Sequence, residues 1–460
     1  MHYFGRSGYA VGLSAISFSA SLQKDAAPIP NALGTRRKIM YRHIKCVSFD
    51  FYNFGLYSKK MAIILDYIPK LLYFCNVYKS LIMKFIRRRL HDVIEDKLFK
   101  GKAIIIIGAR QVGKSTLFRQ ITENKENVLS LNCDDPSVRQ LLQNANLNTL
   151  KQLIGNSKIV VVDEAQRIMG IGLTLKLITD NMPDVQLLVS GSSSFQLQGQ
   201  LNEPLTGRKF EYHLYPISTE EIFNDTGLLG AVQSLENRMI FGSYPDVVNN
   251  MENPHDILMN LSGSYMYQDL LSLEGIRKPA IIEKLLVALA LQVGSEISFS
   301  EISQTIGTDS KTVEKYIDLL EKCYIVFRMP ALSRNLRNEL KKSKKIYFYD
   351  NGIRNSIIQN FNPLSMRNDV GALWENFFIS ERLKFNHYNR NYCNTYFWRT
   401  TEQHEIDYVE ESNGKFTLFE MKWNPKKTNV TVPKSFTKAY GEQEFHVITP
   451  DNYLQFLLQK

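Results

Sequence analysis

Cysteine is scarce and scattered in this 460-residue chain: Cys46, Cys75, Cys133, Cys323 and Cys393 form no C-x-x-C pair. That excludes a zinc framework and a disulfide scaffold, and makes a reducing compartment, the cytoplasm, the expected home. Long hydrophobic runs are missing too. The greasiest stretch, MAIILDYIPKLLYFCNVY from Met61, is broken by Asp66, Pro69 and Lys70. The pieces between them are too short to cross the hydrocarbon core of a bilayer, so no membrane partner is expected. No internal repeat and no low-complexity tract is present. Acidic residues are rare only at the start, where residues 1–82 hold 11 Lys+Arg against 3 Asp+Glu and so carry +8 of the net +10. The remainder, with 45 basic and 43 acidic side chains, is nearly neutral. A broad electrostatic footprint for nucleic acid is thereby excluded, and any such binding has to come from a site.

Residues 1–82 also lack a sustained helical or strand pattern. One expectation is a targeting presequence, because SGYAVGLSAISFSA faintly resembles an h-region. The favoured one is that Met83, directly before KFIRRRLHDVIEDKLFKGKAIIII, is the biological start and that the upstream part is an artefact of gene prediction.

What is present begins with IIIIGARQVGKSTLFRQI, Ile104 to Ile121. A buried parallel strand, read from the continuous apolar run 103–107, stops at a glycine loop that opens a helix. The pattern G-x-x-x-x-G-K-[ST] lets backbone N–H groups wrap a polyphosphate, while the lysine reaches the outer phosphates and the hydroxyl binds Mg²⁺. The positive end of the following helix favours phosphate as well. Gly108, Ala109, Arg110, Gln111, Val112, Gly113, Lys114, Ser115 and Thr116 are thus the expected ATP-binding residues. The bland alternative is a glycine turn between strand and helix.

KIVVVDEAQRI, Lys158 to Ile168, again runs from apolar residues into charge. Asp163 is expected to hold Mg²⁺ through water and Glu164 to orient and deprotonate the attacking water. A third apolar run, VQLLVSGSSSF from Val185, ends in hydroxyls fit to sense a γ-phosphate, although Ser and Gly also simply make turns. Arg208, in LTGRKFEYHLYPIS, is a candidate for the cation that neutralises phosphoryl-transfer charge, within its own chain or in a neighbouring subunit of a homo-oligomer. The alternation of strands (103–107, NVLSLNCDD, 159–163, 186–190) with helices (115–123, 136–153, 171–180) predicts an α/β fold, a parallel sheet covered on both faces over 83–225. Residues 226–290 read as a helical connector, interrupted by the turn-rich FGSYPDVV.

Within 291–345, a helix (Phe299 to Ile306), a turn at Gly307 and a second helix (Ser310 to Cys323) leading into a strand make the pattern of a winged helix-turn-helix. As a DNA reader it would present Ser310, Lys311, Thr312 and Lys315; as a packing unit it would contact protein instead.

Over 346–460, TYFWRTTEQHEIDYVEE and KFTLFEMKWNPKK suggest two strands joined by the turn Asn413-Gly414. Strict alternation places Glu405 with Asp407 on one face and Glu420 with Lys422 on one face, with Ile406, Phe419 and Met421 pointing the other way. Glu375, on an upstream helix, adds a carboxylate. Carboxylates holding Mg²⁺ beside a lysine activate water against a phosphodiester. The spacing of an acid strand, a glycine turn and an E-x-K strand is that of a restriction-endonuclease-like fold, with a solvated salt-bridged patch on an inactive copy as the alternative.

IIIIGARQVGKSTL, VVVDEAQRI, SGSSS, LTGR, FGSYPDVV, YMYQDLL and LWENFF…EIDYV…FEMKW, in this order, resemble the prokaryotic AAA-type P-loop ATPases that carry a C-terminal winged helix and restriction-endonuclease-like domain of unknown function. The resemblance spans about residues 84–455. It implies ATP and Mg²⁺ as cofactors, the nucleotide roles given above for Gly108, Gly113, Lys114, Ser115, Asp163 and Glu164, and nuclease-like roles for Glu375, Asp407, Glu420 and Lys422. Three functions compete: an ATPase whose nucleotide state moves the C-terminal half on DNA or RNA, an ATP-dependent switch acting on a protein partner, and an ATP-gated nuclease.

Overall fold

A computed structural model describes residues 85–191, 204–266, 279–333, 344–400, 402 and 404–458. The expectations for residues 1–82, for Ser192 to Ser194 and for 267–271 lie outside the described residues.

Five parallel strands form the first sheet: β1 (Ala103–Ile107), β2 (Val128–Asn132), β3 (Ile159–Asp163), β4 (Gln186–Gly191) and β5 (Lys209–His213), in the order β2-β3-β4-β1-β5. All of β1 and β4 is buried, which is why their sequences are apolar without alternation. β5, KFEYH, is half-buried throughout and was not evident as a strand from its sequence. α1 (Leu90–Glu95) precedes the sheet, and the helices between its strands are α2 (Lys114–Thr122), α3 (Pro136–Leu142), α4 (Leu147–Ile154) and α5 (Ile171–Asn181). The single helix expected over 136–153 is two, because Asn144 adopts φ 56° and the Asn146 side chain accepts from Thr149 N to start a new helix.

The connector follows as α6 (Thr219–Gln233), kinked at Gly227, α7 (Leu235–Phe241), α8 (Pro245–Asn249) and α9 (Pro254–Asn260). Next come α10 (Pro279–Leu291), β6 (Glu296–Ile297), α11 (Phe299–Ile306), α12 (Ser310–Lys322), β7 (Val326–Pro330) and β8 (Lys344–Phe348). β6, β7 and β8 make a small antiparallel sheet ordered β6-β8-β7. The helix pair is locally encoded: Ser298 and Asp309 cap the two N-termini and Gly307, at φ 76°, ends α11. β8 runs across the boundary expected at 345/346, so the small sheet extends into what was assigned to the last domain.

The final module comprises α13 (Asn351–Ile357), α14 (Val370–Tyr388), β9 (Asn394–Arg399), β10 (Glu405–Ser412), β11 (Lys415–Met421), α15 (Lys434–Tyr440), β12 (Gln443–Ile448) and α16 (Leu454–Leu457). Its sheet is ordered β12-β11-β10-β9, with β11 and β12 parallel and the other pairs antiparallel. Strict alternation fails in β10, where a bulge lies between Ile406 and Val409. Ile406, Val409 and Leu418 pack with Phe436 of α15 on one face, whereas Tyr408, Phe419 and Met421 pack with Trp374, Phe377 and Phe378 of α14 on the other. Ile406 therefore does not share a face with Phe419 and Met421 as expected, since one extra residue resets the two-residue period. From Lys84 onward the chain is one compact unit.

Candidate functional site: a nucleotide edge and a carboxylate cluster

The C-terminal ends of β1, β3 and β4 meet at one edge of the parallel sheet. Leaving β1, Gly108 passes so close to the chain after β5 that a Cβ there would stand 2.1 Å from Leu214 O, which requires glycine. Gln111 (φ 61°) and Gly113 (φ 96°) then turn the loop in the left-handed region, and Lys114 opens α2. Lys114 is 3% exposed, and its Nζ donates to Gly108 O (3.0 Å) and Ala109 O (2.8 Å). Ser115 is exposed, while Ala109 and Val112 are buried.

Asp163 ends β3 and accepts a short hydrogen bond from Ser190 Oγ of β4. Glu164 has φ 54°, a conformation that costs a non-glycine residue free energy and marks an over-determined position. Its N–H lies 3.2 Å from Asp163 Oδ1 and 3.3 Å from Ser190 Oγ, and its carboxylate accepts from Gln166 Nε2 at 2.6 Å. The donors at this edge, a serine hydroxyl and a carboxylate, are the hard oxygens that suit Mg²⁺. Burial first and Asp163 second push the thiol of Cys133, just after β2, up to about 12.

Arg208 is not brought to this edge. It precedes β5, and its carbonyl accepts from Ala103 N at the opposite end of β1. A five-residue strand spans about 16 Å, and the guanidinium instead pairs with Asp180 at 2.5 Å. The expected in-chain role in phosphoryl transfer is corrected accordingly, and the pair with Asp180 is that of an ordinary structural arginine.

Arg88 escaped the sequence reading. It is 5% exposed, and its Nη1 donates to Val112 O in the loop (2.6 Å), its Nη2 to Tyr215 O (2.5 Å) and its Nε to Glu221 Oε1 (3.0 Å). RRR at 87–89 reads as a solvated basic face, and nothing in it distinguishes Arg88.

The second constellation gathers all four residues expected there. Glu375 of α14, Asp407 of β10, and Glu420 and Lys422 at the end of β11 interact electrostatically. Asp407 Oδ2 accepts from Met421 N at 2.9 Å, and Lys422 Nζ lies 2.6 Å from Glu420 Oε1. Two further cluster members come from β8: Lys345 Nζ bridges Glu375 Oε1 (3.1 Å) and Glu405 Oε1 (2.7 Å), and Tyr347 donates to Glu375 Oε1 at 2.6 Å. Lys345 is 2% exposed, and although burial opposes its charge, Glu375, Asp407 and Glu405 hold its ammonium above the usual range.

Burial, then repulsion from Asp407, pushes the Glu375 carboxyl up to about 7; burial also raises Asp407 and Glu420. A raised carboxyl favours the folded state at low pH and stops doing so as pH climbs through its folded value. Thermal unfolding without divalent cations is therefore expected to show a midpoint that falls between pH 5 and pH 8, with Glu375→Gln flattening that slope. An equal slope in the variant would place the titration elsewhere.

Among comparisons with known proteins, residues 100–223 match an AAA domain model, 232–364 a domain of unknown function (DUF8612) and 370–456 another (DUF4143). An uncharacterized protein of Mycobacterium tuberculosis is 24% identical over 332 residues, covering 71% of each chain. An uncharacterized protein of Haemophilus influenzae is 26% identical over 283 residues, covering 55% of this chain and 68% of the other. Among solved structures, the Walker-type ATPase PABY2304 of Pyrococcus abyssi aligns with a TM-score of 0.42 at 16% identity, over 60% of this chain and 96% of that one. No described helix is long and apolar enough to cross a membrane. With its glycine-constrained loop at the end of β1 and the Asp163-Glu164 pair beside it, the segment 100–223 is similar to an AAA domain.

Proposed function

We propose that the protein is a Mg²⁺-dependent ATPase whose nucleotide state acts on a C-terminal nucleic-acid-related module. The observation that supports this reading most is the convergence of Lys114, Ser115, Asp163 and Glu164 on one sheet edge. Lys114 would exchange its bonds to Gly108 O and Ala109 O for the outer phosphates. Ser115 and Asp163 would hold Mg²⁺, which when bound neutralises charge on the transferred phosphoryl group. Glu164, released from Gln166, would orient the attacking water and take its proton. Residues 108–116 would supply N–H groups to the phosphates, and Arg208 would contribute only across a subunit interface.

A nuclease reading is the second one, and a charge count favours it. Four carboxyls, Glu375, Glu405, Asp407 and Glu420, face two ammonium groups, Lys345 and Lys422, in a half-buried patch, two negative charges in excess once all four are ionised. One divalent cation balances that excess, and the donors are hard oxygens. Asp407 and Glu420 would hold Mg²⁺, with Glu375 completing the charge balance through Lys345 and with Lys422 beside the reacting phosphate. The element order α10, β6, α11, α12, β7, β8 fits a winged helix, and Lys311 and Lys315 on α12 are exposed, as a DNA-contacting helix requires.

The test incubates the full chain with ATP, Mg²⁺ and plasmid or single-stranded DNA, reading phosphate release and strand cleavage together. Lys422→Ala is expected to lose cleavage and keep phosphate release. Cleavage that survives in this variant rejects the nuclease-like lysine; phosphate release without cleavage in the parent protein leaves an ATPase with a sensing module.

A further inference from the structure

Helix α14 touches both constellations. Near its start Glu375 joins the carboxylate cluster. At its end the Tyr388 hydroxyl accepts from Tyr215 N at 3.1 Å and interacts with the Arg88 guanidinium, while His387 pairs through Nδ1 with the Tyr215 hydroxyl. Thirteen helical residues separate Glu375 from Tyr388, about 20 Å along one rod. Midway, Glu381 accepts from Thr219 N (2.6 Å) and Thr219 Oγ1 (2.8 Å), at the first residue of α6. Ser218 caps that helix in a reciprocal box with Glu221, and Glu221 is the carboxylate that pairs with Arg88.

Two routes thus run from α14 to Arg88, one through Tyr388 and one through Glu381, α6 and Glu221. Arg88 in turn grips the phosphate loop at Val112 O. All these groups are buried: Tyr388 is 6% exposed, Glu381 2% and Glu221 1%. A planar guanidinium with fixed donors transmits small displacements because each bond has little freedom to bend.

We propose that Arg88 and Tyr388 are positioning residues of the phosphate loop, through which the seating of α14 sets nucleotide affinity and nucleotide in turn sets the seating of α14. This rests on the nucleotide reading of residues 108–116. Linkage makes the effect reciprocal: whatever nucleotide does to α14, a displaced α14 does to nucleotide binding. The carboxylate cluster, sharing the rod, would report the state of a loop it never touches.

The composition of the chain provides the readout. Its three tryptophans, Trp374, Trp398 and Trp423, all lie in the last module. Trp374 sits on α14, with its ring 5.7 Å from that of Trp423 and its Nε1 donating to Ile448 O at 3.2 Å. No tryptophan lies in the P-loop domain, so emission excited at 295 nm sees nucleotide only through the structure between them.

The experiment titrates the full chain with Mg²⁺-ADP, following calorimetric heat and tryptophan emission in parallel, for the parent protein, Tyr388→Phe and Arg88→Lys. Tyr388→Phe keeps the ring packing and removes one hydroxyl, so it is expected to fold. The expected result is an emission change that saturates with the heat in the parent, and about a tenfold rise in Kd with a diminished emission change in Tyr388→Phe. Arg88→Lys, which retains the charge against Glu221 but not the fork, is expected to behave likewise. Heat without any emission change in the parent overturns the coupling alone, as does a Tyr388→Phe protein that matches the parent in both signals. Absence of heat in the parent overturns the nucleotide reading itself.

Discussion

Lys114→Ala is expected to reduce ATP turnover by about a thousandfold or more, to the background of the assay, because it deletes the one charge the loop directs at the outer phosphates. The geometry adds a second consequence. Lys114 is buried and holds two loop carbonyls, Gly108 O and Ala109 O, so alanine leaves both without that donor and loosens the loop even before nucleotide arrives. Nucleotide affinity should therefore fall together with turnover. Glu164→Gln separates the two effects: the amide preserves shape and its contact with Gln166 but cannot take a proton, so turnover should collapse while binding persists. Phosphate release and calorimetric binding, measured on both variants with circular dichroism as the check on folding, decide the matter. Turnover in Lys114→Ala equal to that of the parent would falsify the assignment of this loop.

Gly242→Ala should produce a large loss of stability for the addition of a single methyl group. Gly242 lies at φ 73°, and a Cβ there would meet Asp350 Oδ1 at 1.9 Å. Asp350 has nowhere to retreat: it is 4% exposed, caps α13 through Ile353 N and accepts from Ser243 N at 2.7 Å. Across the contact, Gly352 is equally constrained, with Phe241 O at 2.1 Å from its imagined Cβ. These two glycines let the end of α7 and the start of α13 touch backbone to backbone. Steric overlap with a fixed carboxylate and a left-handed backbone each cost an alanine free energy, together about 3 kcal/mol or more. A thermal midpoint lowered by several degrees, or insoluble protein, is the expected outcome. A Gly242→Ala protein as stable as the parent would mean that Asp350 moves freely.

The fold was legible in the sequence wherever one residue type had one physical reason to be there. The apolar run Ile104 to Ile107 read as a buried strand and is one, and the glycines that follow it led to the turn that opens α2. β5 was hidden because an edge strand needs no apolar run, and KFEYH mixes both kinds of residue. Arg88 was hidden for a different reason. Its partners, Val112, Tyr215, Glu221 and Tyr388, lie up to 300 positions away, and local pattern carries no information about such distances. Arg208 was misplaced by the converse error, since proximity to the motifs in sequence is not proximity to the nucleotide edge. At the carboxylate cluster the E-x-K spacing led to residues that do come together in the structure, but alternation failed at the bulge, and Lys345 went unnoticed in a lysine-rich stretch that reads as solvated.

Lys345 also bears on how the chain can be divided and in what order it forms. The ammonium that balances Glu375 and Glu405 belongs to β8, a strand that pairs with β6 and β7 of the preceding sheet. A fragment beginning at residue 346 would carry Glu375 and Glu405 without Lys345. As the ribosome delivers the chain from its N-terminus, the small sheet emerges before β9 to β12 and offers them a surface whose charge is already in place. The last module thus takes part of its charge balance from its neighbour.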